Sequence, residues 1–144
     1  MDTSEQYIKM CEKAEEIQGV AKRGDDWHPH DYWYFPAGSK NEYGYSSEAE
    51  IAVIGDAEDC GHCLSYYCDQ LPDAIWLPRQ DQLQEMIYPH EGRDYSPLFE
   101  LDSWHEKIFR NKKYFDGFAS YEQIWLAYVM FEKYGKVWNG GTWS

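Results

Sequence analysis

The sequence is short of basic residues: 13 Lys and Arg stand against 26 Asp and Glu, which gives a formal net charge of −13. A field of this sign repels nucleic-acid phosphates and anionic membranes. The basic residues are also scattered, and Lys22-Arg23 and Lys112-Lys113 are the only adjacent pairs. We therefore expect no direct binding of nucleic acid or membrane, and we expect any protein partner to have a basic surface.

Long hydrophobic runs are missing as well. The longest uncharged apolar stretch, around Ile124, is far shorter than the ~20 residues that a membrane-spanning helix needs. The segment Met1–Gln6 is polar and acidic, with neither the basic nor the apolar part of a secretory signal. We expect a cytoplasmic protein, in which the four cysteines are thiols or metal ligands rather than structural disulfides.

The common catalytic motifs are absent from the sequence. It has no GxxxxGK[ST] phosphate loop, no GxGxxG dinucleotide motif, no HExxH zinc helix and no GxSxG nucleophile turn. We expect no enzymatic activity and no cofactor.

The strongest pattern that is present predicts a buried helix near the carboxyl end. Ser120 with Gln123 fits a capping box, and Gly135 stands where a helix-ending glycine belongs. Between them, residues Ile124–Phe131 leave almost no polar side. A helix that is apolar nearly all round is buried, so we expect this helix at the centre of a core.

The rest of the chain predicts a mixture of helices and strands. A capped amphipathic helix is expected over residues 3–18, followed by strand candidates and then by two helices before the buried one. In the first helix the expected cap is Thr3 with Gln6, and the expected apolar stripe is Tyr7, Ile8, Cys11, Ala14 and Ile17. Pro78 is expected at the first position of the earlier helix, and Ser96-Pro97 opens the later one. The strand candidates, rich in aromatic and β-branched residues, are Asp31–Phe35, Ala49–Ile54, Leu64–Tyr67 and Ala74–Leu77.

This order of elements predicts an α+β fold. We expect a small antiparallel sheet of three to four strands packed against about four helices. The length of 144 residues fits one domain, so a single α+β domain over residues 1–144 is expected.

Three segments of the chain resemble small proteins encoded by bacteriophages and prophages, which have no assigned biochemical function. The segments are Tyr7–Gln18, Trp76–Met86 and Glu122–Trp138. The resemblance does not extend over residues 20–75. It implies a phage accessory protein acting inside a bacterial cytoplasm, and it supplies no catalytic residues.

Cys60-Gly-His-Cys63 is the sharpest local motif and is similar to the redox-active turn of disulfide isomerases. In that chemistry the first thiolate attacks a disulfide and the second thiol resolves the product. Asp59 argues against this role because an adjacent carboxylate raises the pKa of a thiol. The elements predicted downstream also follow a different order from a thioredoxin fold.

The same cysteines are candidate zinc ligands. Cys60 and Cys63 have the spacing of a zinc knuckle, and Cys68, His28 and His30 could complete a tetrahedral set. A full signature has two such cysteine pairs, and this chain has one. A surface loop with free thiols is the alternative interpretation.

Arg79, Gln80 and Asp81 are the candidate binding residues. They lie at a predicted helix start, within the segment that resembles the phage proteins, and they offer a fixed set of donors and acceptors. The structural alternative is a strand-to-helix junction, where Asp81 favours the positive end of the helix dipole and Arg79 pairs with a neighbouring carboxylate.

Two further patterns have a functional and a structural interpretation. Tyr32–Phe35 with Trp138 and Trp143 could stack bases or sugars, but base stacking comes with a basic groove, so packing in the core is preferred. Asp25-Asp26 and Asp56–Asp59 could hold a cation, but they lack the alternating ligands of a calcium loop.

Two hypotheses of function follow. The first is an acidic protein–protein interaction module, in its sharpest form an inhibitor or adaptor of a host nucleic-acid enzyme whose phosphate-binding surface it occupies. The second is a small zinc or thiol-redox protein that uses the Cys60–Cys63 loop.

Overall fold

The computed structural model describes residues 1–21, 31–41, 44–45, 48–53, 74–87, 97–108 and 114–144. Those residues form five α-helices and a three-stranded antiparallel sheet, which confirms the predicted α+β class with the strand number at its lower end. The chain divides into two compact units, one of Thr3–Leu77 and one of Met1–Asp2 with Pro78–Ser144. A single domain over residues 1–144 stays a prediction.

In the unit of Thr3–Leu77, the first helical segment is broken where the sequence predicts one continuous helix over residues 3–18. Helix α1 spans Glu5–Lys13 and helix α2 spans Glu15–Ala21. Ala14 separates them with φ −89° and ψ 67°, and its N–H donates to the carbonyl of Cys11. The break turns the chain at a buried alanine and changes which groups satisfy the last carbonyls of α1.

The cap of helix α1 lies one residue later than predicted. The hydroxyl of Ser4, not that of Thr3, accepts the N–H of Tyr7 at 3.3 Å. The apolar stripe of both helices is buried as expected, with Met10 in it in place of the half-buried Ile8. Its fully buried residues are Tyr7, Met10, Cys11, Ala14 and Ile17.

The described strands are β1 (Tyr32–Phe35), β2 (Lys40–Asn41), β3 (Gly44–Tyr45), β4 (Glu50–Val53) and β5 (Ile75–Leu77). Strand β1 is the centre of the three-stranded sheet, with β4 and β5 antiparallel on its two sides. Strands β2 and β3 pair separately as a two-stranded antiparallel sheet. The predicted strand Leu64–Tyr67 lies outside the described residues.

The side chain of Gln18 joins α1, α2 and β5. Its amide oxygen accepts the N–H of Trp76 at 2.9 Å, and its amide nitrogen donates to the carbonyls of Trp76 at 3.0 Å and of Cys11 at 3.2 Å. In an antiparallel strand the N–H and C=O of one residue point to the same side. The groups of Trp76 therefore point away from β1, and Gln18 closes the outer edge of β5 as another strand would.

The register places two indoles side by side. Trp33 lies opposite Trp76 across β1 and β5. Because the backbone groups of Trp76 point outward, this is a non-hydrogen-bonded pair, the kind in which opposite side chains lie closest. Trp33 is 2% and Trp76 is 6% exposed, so this face of the sheet belongs to the core of the unit.

In the unit of Met1–Asp2 with Pro78–Ser144, the described helices are α3 (Gln80–Ile87), α4 (Pro97–Ile108) and α5 (Tyr121–Tyr134). Both α3 and α4 contact α5. The predicted position of Pro78 is wrong, because α3 begins two residues after it. A short 3-10 turn, Phe115–Gly117, precedes α5.

Helix α5 is the buried helix that the sequence predicts. All residues of Trp125–Met130 are buried. The Ser120 hydroxyl accepts the N–H of Gln123 at 3.2 Å, and Gly135 ends the helix in the left-handed region at φ 65°. The buried amide of Gln123 accepts the N–H of Ala119 at 3.0 Å, where a capping box would use the N–H of Ser120.

The last residues form a tight hairpin that the sequence did not predict. Val137 and Ser144 exchange backbone hydrogen bonds of 2.8 and 3.1 Å. Trp138 and Trp143 pair across the strands, with ring centroids 5.0 Å apart. Gly140 turns the chain at φ 93°, a conformation that a two-residue hairpin loop requires and that glycine adopts without steric cost.

Replacing Gln18 with Leu tests how much the edge of β5 depends on this amide. The change keeps the side chain's approximate volume but leaves the N–H and C=O of Trp76 without the amide that binds them. We expect the free energy of unfolding to fall by about 2–4 kcal/mol, measured by urea denaturation. The control, Gln84→Leu, changes a half-buried glutamine of α3 and should alter stability by less than about 0.5 kcal/mol. Equal effects of the two changes would contradict the role assigned to Gln18.

Candidate functional site

Arg79 and Asp81, two of the three predicted binding residues, contact each other at the start of α3. Arg79 Nε donates to Asp81 Oδ1 at 3.0 Å, and Arg79 Nη2 donates to Asp81 Oδ2 at 3.0 Å. This is the two-pronged geometry in which a guanidinium holds a carboxylate most strongly. The side chain of Arg79 is 29% and that of Asp81 63% exposed, so the pair lies at the surface.

The contact keeps Asp81 ionised. The hydrogen bonds from Arg79 lower the pKa of this carboxyl below its ordinary value of 3.8, against an opposing effect of partial burial. The positive charge of Arg79 and the backbone N–H groups of Asp81 and Gln82 lower it further. The start of α3 therefore places a carboxylate next to the first N–H groups of the helix, as the helix dipole favours.

Gln82, which the sequence analysis did not single out, fixes the backbone here. Its amide oxygen accepts the N–H of Arg79 at 2.8 Å, and the carbonyl of Arg79 accepts the N–H of Leu83 at 3.0 Å. Arg79 is thus the residue before the first helical turn, and Gln82 stands three residues later, where Glu or Gln closes a capping box. That spacing was the signal that could have identified Gln82.

The geometry agrees with the structural interpretation of this segment. The charges of Arg79 and Asp81 neutralise each other, and Gln82 is buried with 7% exposure. Gln80, the third predicted binding residue, lies half-buried in the first turn of α3. The three predicted residues are adjacent at the surface, and their role in binding stays a prediction.

The predicted metal ligands, Cys60, Cys63, Cys68, His28 and His30, lie outside the described residues, as do Asp25-Asp26 and Asp56–Asp59. Within the described part of the chain, no three His, Cys, Asp or Glu side chains are placed to hold a metal ion. Cys11, the one cysteine in that part, is buried.

The tryptophans of the predicted stacking platform lie in the protein interior. Trp138 is 5% and Trp143 7% exposed, and the backbone N–H of Trp138 donates to the hydroxyl of Tyr114 at 3.0 Å. Trp33 is buried in the other unit. These indoles pack in cores, which supports the structural interpretation. Tyr32 and Tyr34 are half-buried on the opposite face of the sheet from Trp33.

The described surface is acidic. Where the structure describes side-chain burial, three basic side chains are exposed: Lys9, Lys13 and Lys133. Exposed carboxylates are far more numerous in the same part of the chain. They are Glu5, Glu12, Glu15, Glu48, Glu50, Asp81, Glu85, Asp102, Glu106, Asp116 and Glu132. The excess of negative charge in the sequence is therefore displayed to solvent in both units.

No family model matches this chain, and the comparisons with curated proteins and with solved structures gave no match. Among the residues that the structure describes, no helix is long and apolar enough to cross a membrane.

Replacing Arg79 with Met tests the source of the low pKa of Asp81. We expect that pKa to rise towards 3.8, measured by following the carboxyl carbon in an NMR pH titration. Because the folded pKa lies below the unfolded value, the pair stabilises the fold above the unfolded pKa and loses this effect as the pH falls through the folded one. Exposure keeps the stability change small.

Lys133→Met is the matched control for this titration. Lys133 donates to the carbonyl of Met86 in α3 at 3.0 Å, so the change removes another cation next to the same helix. The pKa of Asp81 should stay unchanged in this variant. An unchanged pKa in the Arg79 variant would show that the helix N–H groups, and not Arg79, control the carboxyl.

Proposed function

We propose that this protein is an acidic, non-enzymatic protein–protein interaction module of the phage or prophage type, acting in the cytoplasm of a bacterial host. The observation behind the proposal is the net charge of −13 together with the display of that charge on the described surface. The phage origin is supported by the resemblance of Tyr7–Gln18, Trp76–Met86 and Glu122–Trp138 alone.

The charge suits one kind of partner. A surface rich in carboxylates attracts a basic protein over roughly the Debye length of about 8–10 Å and raises the rate of encounter. Proteins that bind nucleic acid have such basic surfaces, since they neutralise phosphates with Lys and Arg. The sharper form of the proposal is an inhibitor or adaptor of a host nucleic-acid enzyme, whose phosphate-binding surface meets the carboxylates of this chain.

The use of polar side chains within the fold supports the non-enzymatic part of the proposal. The prominent polar side chains are used in the fold: Gln18 closes a sheet edge, while Gln82 and Gln123 fix helix starts. Arg79 and Asp81 neutralise each other. What distinguishes this surface is its charge, which acts on a partner without any bond being made or broken.

A pull-down from bacterial lysate tests the proposal. Immobilised protein should retain basic proteins at low salt, release them as ionic strength rises, and lose them to added double-stranded DNA. A variant with Glu5, Glu12, Glu15 and Glu132 changed to Gln removes four exposed charges and should retain less. The proposal would be contradicted if the retained fraction were not enriched in basic proteins, or if added salt did not weaken their retention.

The spacing of Cys60 and Cys63 favours a second candidate, a small zinc or thiol-redox protein. If these thiolates bind zinc, a native mass spectrum should show one added zinc, lost on acidification and absent from Cys60→Ser and Cys63→Ser. Both variants should also melt at a lower temperature. His62→Asn is the control that should keep the metal, since His62 is not in the candidate set. A metal-free mass with four thiols would remove the zinc hypothesis.

A further inference from the structure

Among the side chains of α4 that the structure describes, Phe99 is a large apolar one on the side away from the core. Leu101 is 9% and Trp104 3% exposed, and the ring of Trp104 lies 5.0 Å from that of Tyr128 and 6.2 Å from that of Phe131. The buried side of α4 is therefore turned towards α5. Phe99 is 61% exposed, and it lies on the opposite side of the helix from this buried pair.

Two exposed residues on the same side as Phe99 are acidic. Asp102 and Glu106 follow it by three and seven residues, which places all three on one face of a helix, and both are exposed. Ser103, four residues after Phe99, is half-buried on the same face. We call Phe99, Ser103, Asp102 and Glu106 the acidic face of α4.

The described part of the fold buries Leu101 and Trp104 of this helix but leaves most of the Phe99 ring exposed. An amphipathic helix places polar residues on the side away from the core, and α4 does so at Asp102 and Glu106. A largely exposed ring on the same face as two carboxylates gains free energy from burial only when a second surface covers it. Aromatic side chains that anchor interfaces lie in this way, at the centre of a polar rim.

We propose that the acidic face of α4 is the docking surface for the basic partner, with Phe99 inserted into an apolar patch bordered by Lys or Arg. This inference rests on the proposed function and names the surface that performs it. Charge complementarity selects the occupant, because a second copy would bring Asp102 and Glu106 against like charges. Nucleic acid would meet the same repulsion from its phosphates.

Two synthetic peptides of equal positive charge test the surface. One is an amphipathic helix with leucines along one side and lysines along the other, and the second is polylysine. The intact protein should bind the Leu/Lys peptide more tightly than polylysine. Phe99→Gln should weaken the Leu/Lys peptide about tenfold and leave polylysine unchanged, because only the first buries the ring. Amide shifts in an NMR titration should concentrate in residues 97–108.

Matched variants separate this surface from a general effect. Tyr121 is 64% exposed in α5, so Tyr121→Gln removes an aromatic ring of equal exposure and should leave both affinities unchanged. Asp102→Asn with Glu106→Gln removes two charges, as does Glu12→Gln with Glu15→Gln. The α4 pair should weaken both peptides more than the α1 and α2 pair, and the difference should shrink as salt rises. Thermal melting checks that each variant is folded.

The outcomes distinguish this inference from the proposed function. If the intact protein binds both peptides in a salt-sensitive way and the α4 variants match their controls, the surface is wrong and the acidic module stands. If Tyr121→Gln lowers the affinity for the Leu/Lys peptide as much as Phe99→Gln does, the contribution of an exposed ring does not depend on its position. The assigned surface is then also wrong. If the intact protein binds neither peptide, the proposed function fails together with the surface.

Discussion

The amide of Gln18 holds together the unit formed by Thr3–Leu77. A β-strand at the edge of a sheet exposes a row of N–H and C=O groups that must be satisfied or shielded. In β5 the groups of Trp76 are satisfied by a single side chain, which is itself shielded from solvent at 8% exposure. The same amide reaches the carbonyl of Cys11, which the break at Ala14 removes from regular helical bonding. One side chain therefore binds both the end of α1 and the outer edge of β5.

Local signals in the sequence predicted the elements whose ends are capped by residues of the same element. The buried helix α5 was predicted with its cap at Ser120 and its end at Gly135, because capping residues and an unbroken apolar run act within the helix itself. The α+β class followed from the order of such elements. The break at Ala14 and the edge contact of Gln18 could not be predicted, since Gln18 and Trp76 are 58 residues apart. The contact between Gln18 and Trp76 depends on tertiary packing, which a local sequence pattern does not predict.

The candidate site shows the same division between local and distant information. Pairing of Arg79 with a neighbouring carboxylate was predictable because Asp81 is two residues away. The start of α3 was predicted at Pro78, because proline is common at the first helical position. The helix begins at Gln80 instead, and the amide of Gln82 accepts the N–H of Arg79 just before it. The spacing of Cys60 and Cys63 is a local motif, but zinc binding by this pair also requires ligands from elsewhere in the chain.

Polar groups that complete a fold are no longer available to a partner, and this narrows where function can reside. In both units the described buried glutamines are bound to backbone or carboxylate groups, and the described tryptophans lie in cores. What remains at the described surface is carboxylates in excess and a few exposed apolar side chains. Charge alone attracts many basic proteins with little discrimination, whereas an apolar contact at the centre of a charged rim adds shape and sequence specificity. Phe99 between its acidic neighbours joins both properties on one helix face, so specificity is best sought there.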